Sequence, residues 1–291
     1  MLKENRHALF GPAGNSEDFF ESGYKSALDA PKWLRGHSLE CYEYQCGHGV
    51  RISSDAADIL GENARNYSIK LSVHAPYYIS LSSTEKEKRD KSIDYIIQTL
   101  KAAKNMGADR IVVHSGSCGK ITRKEALELA SDTLYRALDA AEKEGLGNIY
   151  ICPETMGKVN QLGTVEEVLK LCSLSDRLIP TIDFGHVNAQ TRGSLKGKDD
   201  YNSILDLLVK KLDSYRAKEF HSHFSRIEYT TAGEKKHHTL AEKEFEPEFE
   251  PLAEALAEGG FTPRIICESA CTQTMDAVEM KKIYTDKLVK L

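Results

Sequence analysis

The feature of this chain that most restricts its fold is a repeated alternation of short apolar segments with amphipathic stretches. Eight segments rich in β-branched and other apolar residues recur at intervals of roughly 30 to 45 residues, the length of one strand and one helix. We predict strands at residues 7–11, 39–44, 69–73, 110–114, 148–153, 178–183, 217–223 and 264–268. We predict helices at residues 85–106, 122–145, 164–171, 201–212 and 249–259.

This alternation favours parallel strands joined by right-handed helical crossovers. Eight units favour closure into a barrel, because an open sheet more usually has about five or six strands. The sequence therefore predicts an α/β fold, a (β/α)8 TIM barrel, as a single domain over residues 1–291. Two long loops are expected at its mouth, at residues 191–200 and 226–244.

Composition places the chain among ordinary globular proteins, with 41% hydrophobic and 29% charged residues. No stretch approaches the roughly 18 to 20 apolar residues that cross a bilayer, so no membrane association is expected. Seven cysteines, an odd number without a Cys-x-x-Cys pair, predict free thiols in a reducing compartment. Residues 1–6 lack the blocks of a signal peptide, and we expect a cytoplasmic location.

Residues with metal-binding side chains end six of the predicted strands. They are His74, His114, Glu154, Asp183, His223 and Glu268. The carboxyl ends of the strands in a closed parallel barrel converge on one face. Each residue alone has a structural explanation, since an acid at a strand end often caps the next helix. Together, imidazoles and carboxylates from separate strands predict a metal cluster at the mouth.

Six short motifs carry a more specific signal. They are His74-Ala75-Pro76-Tyr77, His114-Ser115-Gly116, Glu154-Thr155-Met156-Gly157, Ile182-Asp183-Phe184-Gly185-His186, His237-His238-Thr239-Leu240 and Ile265-Ile266-Cys267-Glu268-Ser269. In this order they resemble the motifs of endonuclease IV, the AP endonuclease family 2, over residues 69–269. The resemblance implies a metal-dependent, xylose isomerase-like TIM barrel. It also implies a DNA-repair hydrolase that cleaves the backbone 5′ to abasic sites.

The resemblance further implies three metal positions. The ligands would be His74, His114 and Glu154 at the first, Glu154, Asp183, His223 and Glu268 at the second, and His186 and His237 at the third. Glu154 would bridge the first two positions, and Glu154, Asp183 and Glu268 would be the catalytic carboxylates. His221 faces the same side of its strand as His223 and is an alternative ligand, although His223 lies nearer the strand end.

Histidine and carboxylate ligands together suit zinc or manganese better than magnesium or calcium. Zinc is the preferred ion because several imidazoles contribute, and two or three ions are expected. Such ions activate water near neutral pH and neutralise charge on phosphate oxygens. The expected partner is duplex DNA with an abasic site, and no obligate protein partner is expected. The net charge of −5 weakens this expectation, although bound cations would reverse the sign locally.

The chain departs from the family pattern at the third metal position. The family has an aspartate two residues before the histidine that matches His237, and this chain has Lys235 there. A protonated lysine cannot ligate a cation. Glu234 could substitute if the loop bends differently, with Glu228 as a more distant candidate. Lys235 itself either points to solvent or contacts a substrate phosphate.

The DNA-reading elements match the family less well. The loop after the second strand, residues 44–51, holds an aromatic residue, a glutamine and an arginine, but two glycines favour flexibility over a rigid wedge. Tyr77 and Tyr78 after the third strand are candidate stacking groups, or else pack on the barrel rim.

Two other functions are compatible with the sequence. Glu154, Asp183, His223 and Glu268 also resemble the single-metal tetrad of xylose isomerase-like sugar isomerases and epimerases. The additional histidines favour the endonuclease, whereas the acidic charge favours the sugar enzyme. A divergent barrel that binds a partner or stores metal is the third possibility. The number of bound ions distinguishes the first two.

Overall fold

The computed structural model describes residues 7–290. Eight parallel strands form the wall of a barrel, in the order β1-β10-β7-β6-β5-β4-β3-β2. They are β1 (Leu9–Pro12), β2 (Cys41–Gln45), β3 (Lys70–His74), β4 (Arg110–His114), β5 (Tyr150–Glu154), β6 (Thr181–Asp183), β7 (His221–Phe224) and β10 (Arg264–Cys267). The predicted α/β barrel is confirmed. Residues 1–6, on which the expectation about a signal peptide rests, lie outside the described residues, as does residue 291.

Helices connect the strands around the outside of the barrel. They are α1 (Glu17–Glu21), α2 (Ala30–Gly36), α3 (Ser54–Asn66), α4 (Lys86–Met106), α5 (Arg123–Lys143), α6 (Val165–Cys172), α7 (Phe184–Gln190), α8 (Lys198–Lys211), α9 (Ser214–Lys218), α10 (Phe249–Gly259) and α11 (Gln273–Leu288). Local signals set their ends. Thr122 begins α5 with a capping box to Glu125, and Gly107 ends α4 in the left-handed conformation that favours glycine.

The barrel closes between β1 and β2. An isolated parallel bridge joins Ala13 to Glu43, and the Gly14 N–H donates to the Glu43 carbonyl at 2.9 Å. Gly11 of β1 lies so close to β2 that an added Cβ would fall 1.7 Å from the Cys41 carbonyl oxygen. Closure therefore depends on a position without a side chain.

The expectation of a loop over residues 226–244 is wrong for its first part. An antiparallel hairpin occupies it, formed by β8 (Arg226–Thr230) and β9 (Gly233–His238). The alternation of the sequence did not indicate strands here, because the segment is rich in charged residues. The hairpin follows β7 directly and therefore stands at the mouth of the barrel.

The layer between the strands and the surrounding helices is apolar. Phe10, Ile111, Ile151 and Ile265 are among the fully buried side chains of the strands. All seven cysteines are free thiols, as predicted, and only Cys271 is exposed. Among residues 7–290, the helices that are long enough to cross a bilayer are too polar to do so.

We predict that Gly11→Ala destabilises the protein. The new methyl group must displace the Cys41 carbonyl, and overpacking of this kind costs about 1–3 kcal/mol or more. Urea unfolding followed by circular dichroism measures the loss. Gly36→Ala is the matched control, because nothing lies within 4 Å of a Cβ at the end of α2. Equal stability of the two variants would contradict this account of barrel closure.

Candidate metal centre

The mouth of the barrel gathers all eight side chains that the sequence predicted as ligands. They are His74, His114, Glu154, Asp183, His186, His223, His237 and Glu268. Strand register accounts for much of this convergence, because His114 pairs with Glu154 across β4 and β5, and Asp183 pairs with His223 across β6 and β7. Side chains paired in register stand next to each other on the same face of a sheet.

The first group contains His74, His114 and Glu154. The Nε2 atoms of both histidines lie 3.4 Å from Glu154 Oε2. The two rings are nearly perpendicular, with centroids 5.2 Å apart. Two imidazole nitrogens and a carboxylate oxygen within 4.8 Å of one another could hold a cation.

The second group shares Glu154 and adds Asp183, His223 and Glu268. His223 Nδ1 lies 3.1 Å from Glu154 Oε1 and 3.4 Å from Glu268 Oε1. Asp183 has two roles. Its Oδ1 accepts a hydrogen bond from the backbone N–H of His186 at the start of α7, and its Oδ2 is left for the second group. The helix-capping explanation of this residue is correct but uses only one of its oxygens.

The third group consists of His186, Glu234 and His237. Glu234 lies with one oxygen 3.5 Å from His186 Nε2 and the other 3.7 Å from His237 Nε2. Its position is set by the β5–α6 loop, because the Glu234 N–H donates to the Gly157 carbonyl at 3.0 Å. Glu234 thus supplies a carboxylate to this group from the position just before Lys235.

A β-bulge explains how Glu234 reaches this group. On β9, Lys236 pairs with Glu228 and Glu234 pairs with Tyr229, which leaves Lys235 as the extra residue. The extra residue of a bulge shifts the alternation of the strand by one position. Glu234 and His237, three residues apart, therefore face the same side.

Lys235 points away from the three histidine–carboxylate groups. Its Nζ lies 2.5 Å from Glu228 Oε1, and 58% of its side chain is exposed. Among the described residues, Lys235 and Glu228 belong to none of the groups that could hold a cation. A contact between Lys235 and a substrate phosphate stays a prediction.

Backbone carbonyls orient two of the histidines. His74 Nδ1 lies 2.8 Å from the Ala75 carbonyl, and His186 Nδ1 lies 3.0 Å from the Thr155 carbonyl. A carbonyl only accepts, so both Nδ1 atoms carry a proton, and the Nε2 atoms are the ones that could ligate a cation after losing theirs. This is the usual support of a metal-binding histidine.

The two histidines of β7 have different surroundings. His221 Nε2 lies 2.9 Å from Glu43 Oε2, and His221 belongs to none of the groups found among residues 7–290. Burial lowers the pKa of His221 to about 3, so that the ring is neutral. The geometry favours His223 as the ligand.

Glu43 is the residue that the sequence interpretation missed. It lies in the middle of β2, is fully buried, and forms a fourth group with His74, His223 and Glu268. The available signal was a carboxylate between Tyr42 and Tyr44 within a predicted strand, because a charge is costly to bury without a partner.

The residues of these groups fit divalent cations. Glu154 Oε2 and Asp183 Oδ2 are buried, and both have imidazole nitrogens beside them: His74 and His114 Nε2 lie 3.4 Å from Glu154 Oε2, and His186 Nδ1 lies 3.1 Å from Asp183 Oδ2. Buried carboxylates need opposite charge nearby, and a bound cation would supply it. Imidazole and carboxylate donors together suit zinc or manganese.

The imidazoles carry protons where cations would bind. Burial disfavours the charged form of His74, but the hydrogen bond and charge of Glu154 outweigh burial and raise the pKa of His74 to about 9. The pKa of His223 also lies well above its ordinary value, because Glu268, Glu43 and Glu154 overcome burial. Burial dominates at His114 and lowers its pKa to about 4.

The predicted stacking residues stand on the rim. Tyr77 is 56% exposed and Tyr78 is 41% exposed. The Tyr77 ring lies edge-on to the His48 ring, with centroids 5.4 Å apart. The backbone N–H of Tyr77 donates to the Gly47 carbonyl. Tyr77 is therefore accessible to a base, and its role in substrate binding stays a prediction.

Comparison with known proteins places this geometry in a family. The chain matches the family model described as xylose isomerase-like TIM barrel over residues 33–286. An uncharacterized protein of Methanocaldococcus jannaschii is 34% identical over 281 residues, which covers 96% of this chain and 97% of the relative. A probable endonuclease 4 of Ureaplasma urealyticum is 28% identical over 167 residues, which covers 53% of this chain and 50% of that relative.

Two solved structures share the fold. Endonuclease IV from Thermus thermophilus superposes with a TM-score of 0.70 at 16% identity, covering 98% of this chain and 100% of that one. A D-tagatose 3-epimerase-like protein superposes with a TM-score of 0.65 at 22% identity, covering 89% and 92%. At these identities the likeness shows the fold alone. The resemblance to endonuclease IV read from the motifs is confirmed as a family relationship.

We predict that Glu234, and not Lys235, contributes to cation binding at the third group. Glu234→Ala should weaken zinc binding there by at least about 100-fold, since even the loss of a partner behind a ligand costs about 10–100-fold. Zinc content after dialysis against a weak chelator measures the effect. Lys235→Ala is the matched control and should retain wild-type content. Equal losses in the two variants would contradict the arrangement of the bulge.

We predict that zinc binding at pH 7 releases protons. His74, His186 and His223 have raised pKa values, so their rings are protonated in the cation-free protein and must lose protons to ligate. Affinity at the first group should therefore rise with pH and level off near the pKa of His74, about 9. Calorimetry in buffers of different ionisation enthalpy measures the protons released. Binding heats that do not depend on the buffer would contradict the prediction.

Proposed function

Because the chain belongs to the xylose isomerase-like TIM barrel family, we propose that it is a metal-dependent phosphodiesterase that cleaves DNA 5′ to abasic sites. The observation that carries the proposal is the third group, His186, Glu234 and His237, next to the two groups that share Glu154. A one-metal sugar enzyme needs only Glu154, Asp183, His223 and Glu268. The additional imidazoles have their place in a cluster of two or three ions.

Electrostatics supports the same conclusion. Glu154, Asp183 and Glu268 bring three carboxylates into one buried mouth. An anionic phosphate is repelled by such a site unless cations balance its charge. Divalent cations, with zinc as the first choice, would supply that charge, activate water and stabilise the phosphate in the transition state.

The chain's own residues would bind and orient the reacting groups. His74 and His114 would hold the first cation with Glu154, which would also face the second. The pKa of Glu268 is raised chiefly by burial, against the opposing charges of His223 and His237, so a bound cation would favour the ionised form of this carboxyl. The exposed ring of Tyr77 would stack on a base beside the abasic site.

A sugar epimerase with one divalent ion is the second candidate. The group of Glu154, Asp183, His223 and Glu268 supports it, because it offers four ligand atoms within 4.8 Å of one another without any other residue. Under this alternative the third group would bind no ion, and Glu154 and Glu268 would flank a ketose.

We predict that Glu154→Gln removes cations from the first two groups and lowers nicking activity at least about 100-fold, because one shared carboxylate serves both groups. The assay uses a duplex with one tetrahydrofuran abasic analogue, with zinc content measured on the same preparation. Glu142→Gln is the control, since the exposed Glu142 side chain pairs with Arg177 far from the mouth.

Two results would reject the proposal. Full zinc content and nicking in Glu154→Gln would show that the cluster is assigned wrongly. A wild-type protein that binds a single cation, interconverts ketoses and does not nick abasic duplex DNA would establish the epimerase instead.

A further inference from the structure

We propose that Glu43 is a positioning residue that directs Nδ1 of His223 toward the cation of the second group. The inference rests on the proposed metal-dependent function and deepens it. Neither the motifs nor the three predicted metal positions include Glu43. Its role would be exerted through His223, without contact with substrate.

Glu43 lies behind His223 as seen from the centre of the mouth. Glu43 Oε1 is 3.0 Å from His223 Nε2, whereas His223 Nδ1 faces Glu154 Oε1 at 3.1 Å and Glu268 Oε1 at 3.4 Å. The imidazole thus stands between carboxylates on both sides. One ring nitrogen must carry a proton in the neutral form, and the other then offers its lone pair.

The partners of Glu43 decide which nitrogen carries that proton. Glu43 Oε2 accepts from Ser72 Oγ at 2.9 Å and lies 2.9 Å from His221 Nε2, and Gln45 Nε2 donates to Oε1 at 3.2 Å. These contacts hold a fully buried carboxylate in one place, and cross-strand pairing of Glu43 with Ser72 adds to them. His223 Nε2 lies 3.0 Å from Glu43 Oε1 as an ion-pair contact without hydrogen-bond geometry, whereas Nδ1 is in hydrogen-bond contact with Glu154 Oε1 in this structure. The negative charge of the fixed Glu43 carboxylate would favour a proton on Nε2 once a cation takes the Nδ1 side, which leaves the Nδ1 lone pair for the cation.

The positions of Glu43, His221 and His223 on their strands bring the three side chains together inside the barrel. Glu43 comes from β2 and His223 from β7, three strands apart around the closed barrel wall, so the pair spans part of the interior beneath the mouth. His221 precedes His223 by one full strand period and therefore faces the same interior, where it pairs with the other Glu43 oxygen. The contact with His221 holds the Glu43 carboxylate in place, and Glu43 in turn would fix the orientation of the His223 ring.

The rival explanation makes Glu43 a direct ligand in the group with His74, His223 and Glu268. Three members of that group also belong to the first or second group, so a cation held there would compete for their ligand atoms. The positioning role requires no such competition, and the experiment separates the two roles.

The experiment measures zinc binding to Glu43→Gln by competition with a chromogenic chelator. The amide keeps the shape of the side chain but exchanges one acceptor for a donor, so the second-group zinc should bind about 10–100-fold more weakly while the number bound at saturation is unchanged. Glu40→Gln is the matched control, because Glu40 lies just before β2 and pairs with Lys281 away from the mouth. Unchanged affinity in Glu43→Gln, or the loss of one zinc at saturation, would overturn the positioning role.

A second measurement needs no Glu43 variant. In zinc-loaded wild-type protein labelled with nitrogen-15 histidine, long-range proton–nitrogen spectra should show one ring with Nδ1 bound to metal and Nε2 protonated. The signal is assigned to His223 by its loss in His223→Asn. A metal-bound Nε2 at His223 would overturn the inference. Zinc-loaded protein that does not nick abasic DNA would reject the proposed function while leaving this test intact.

Discussion

The burial of one carboxylate, Glu154, organises the mouth of this barrel. Only 1% of the residue is exposed, and its two oxygens face the histidines of four other segments: His74, His114, His186 and His223. A charge removed from water in this way needs opposite charge around it. The imidazoles supply that charge as protons in the cation-free protein, and a divalent cation could supply it more strongly. The carboxyl ends of β3 to β7 are therefore coupled through a single side chain.

The third group shows how a local irregularity changes the chemistry of a site. The bulge at Lys235 shifts the alternation of β9, so that Glu234 faces the barrel while the lysine pairs with Glu228 outside. Although this chain has Lys235 where the endonuclease IV motif has an aspartate, the third group thus keeps a carboxylate, that of Glu234. This substitution by a neighbour bears directly on the choice between functions, because the third group separates a multi-ion phosphodiesterase from a one-ion epimerase.

Support for the ligands comes from beneath the mouth as well as from its rim. Carbonyls of Ala75 and Thr155 accept hydrogen bonds from two histidines at the point where strands end. Glu43 acts deeper, inside the barrel, where water cannot compete for its hydrogen bonds. Cation affinity in such a site would depend on residues that never touch the cation.

The sequence alone determined the order of the eight barrel strands, five of the eleven α-helices within residues 7–290, and the residues at the strand ends. Strand residues of period two and helical residues of period 3.6 are local patterns, and parallel topology then forces the strand ends together. That is why His74, His114, Glu154, Asp183 and Glu268 could be placed at one mouth in advance.

Only the tertiary structure decided the rest. The hairpin over residues 226–238 has a charged sequence without a clear alternation, and its bulge depends on pairing between two strands. The role of Glu43 depends on β2 facing β7 across the barrel, where Glu43 contacts His223 and also His221, which lies 178 positions further along the chain. Such contacts follow from the three-dimensional path of the backbone, which no local pattern encodes.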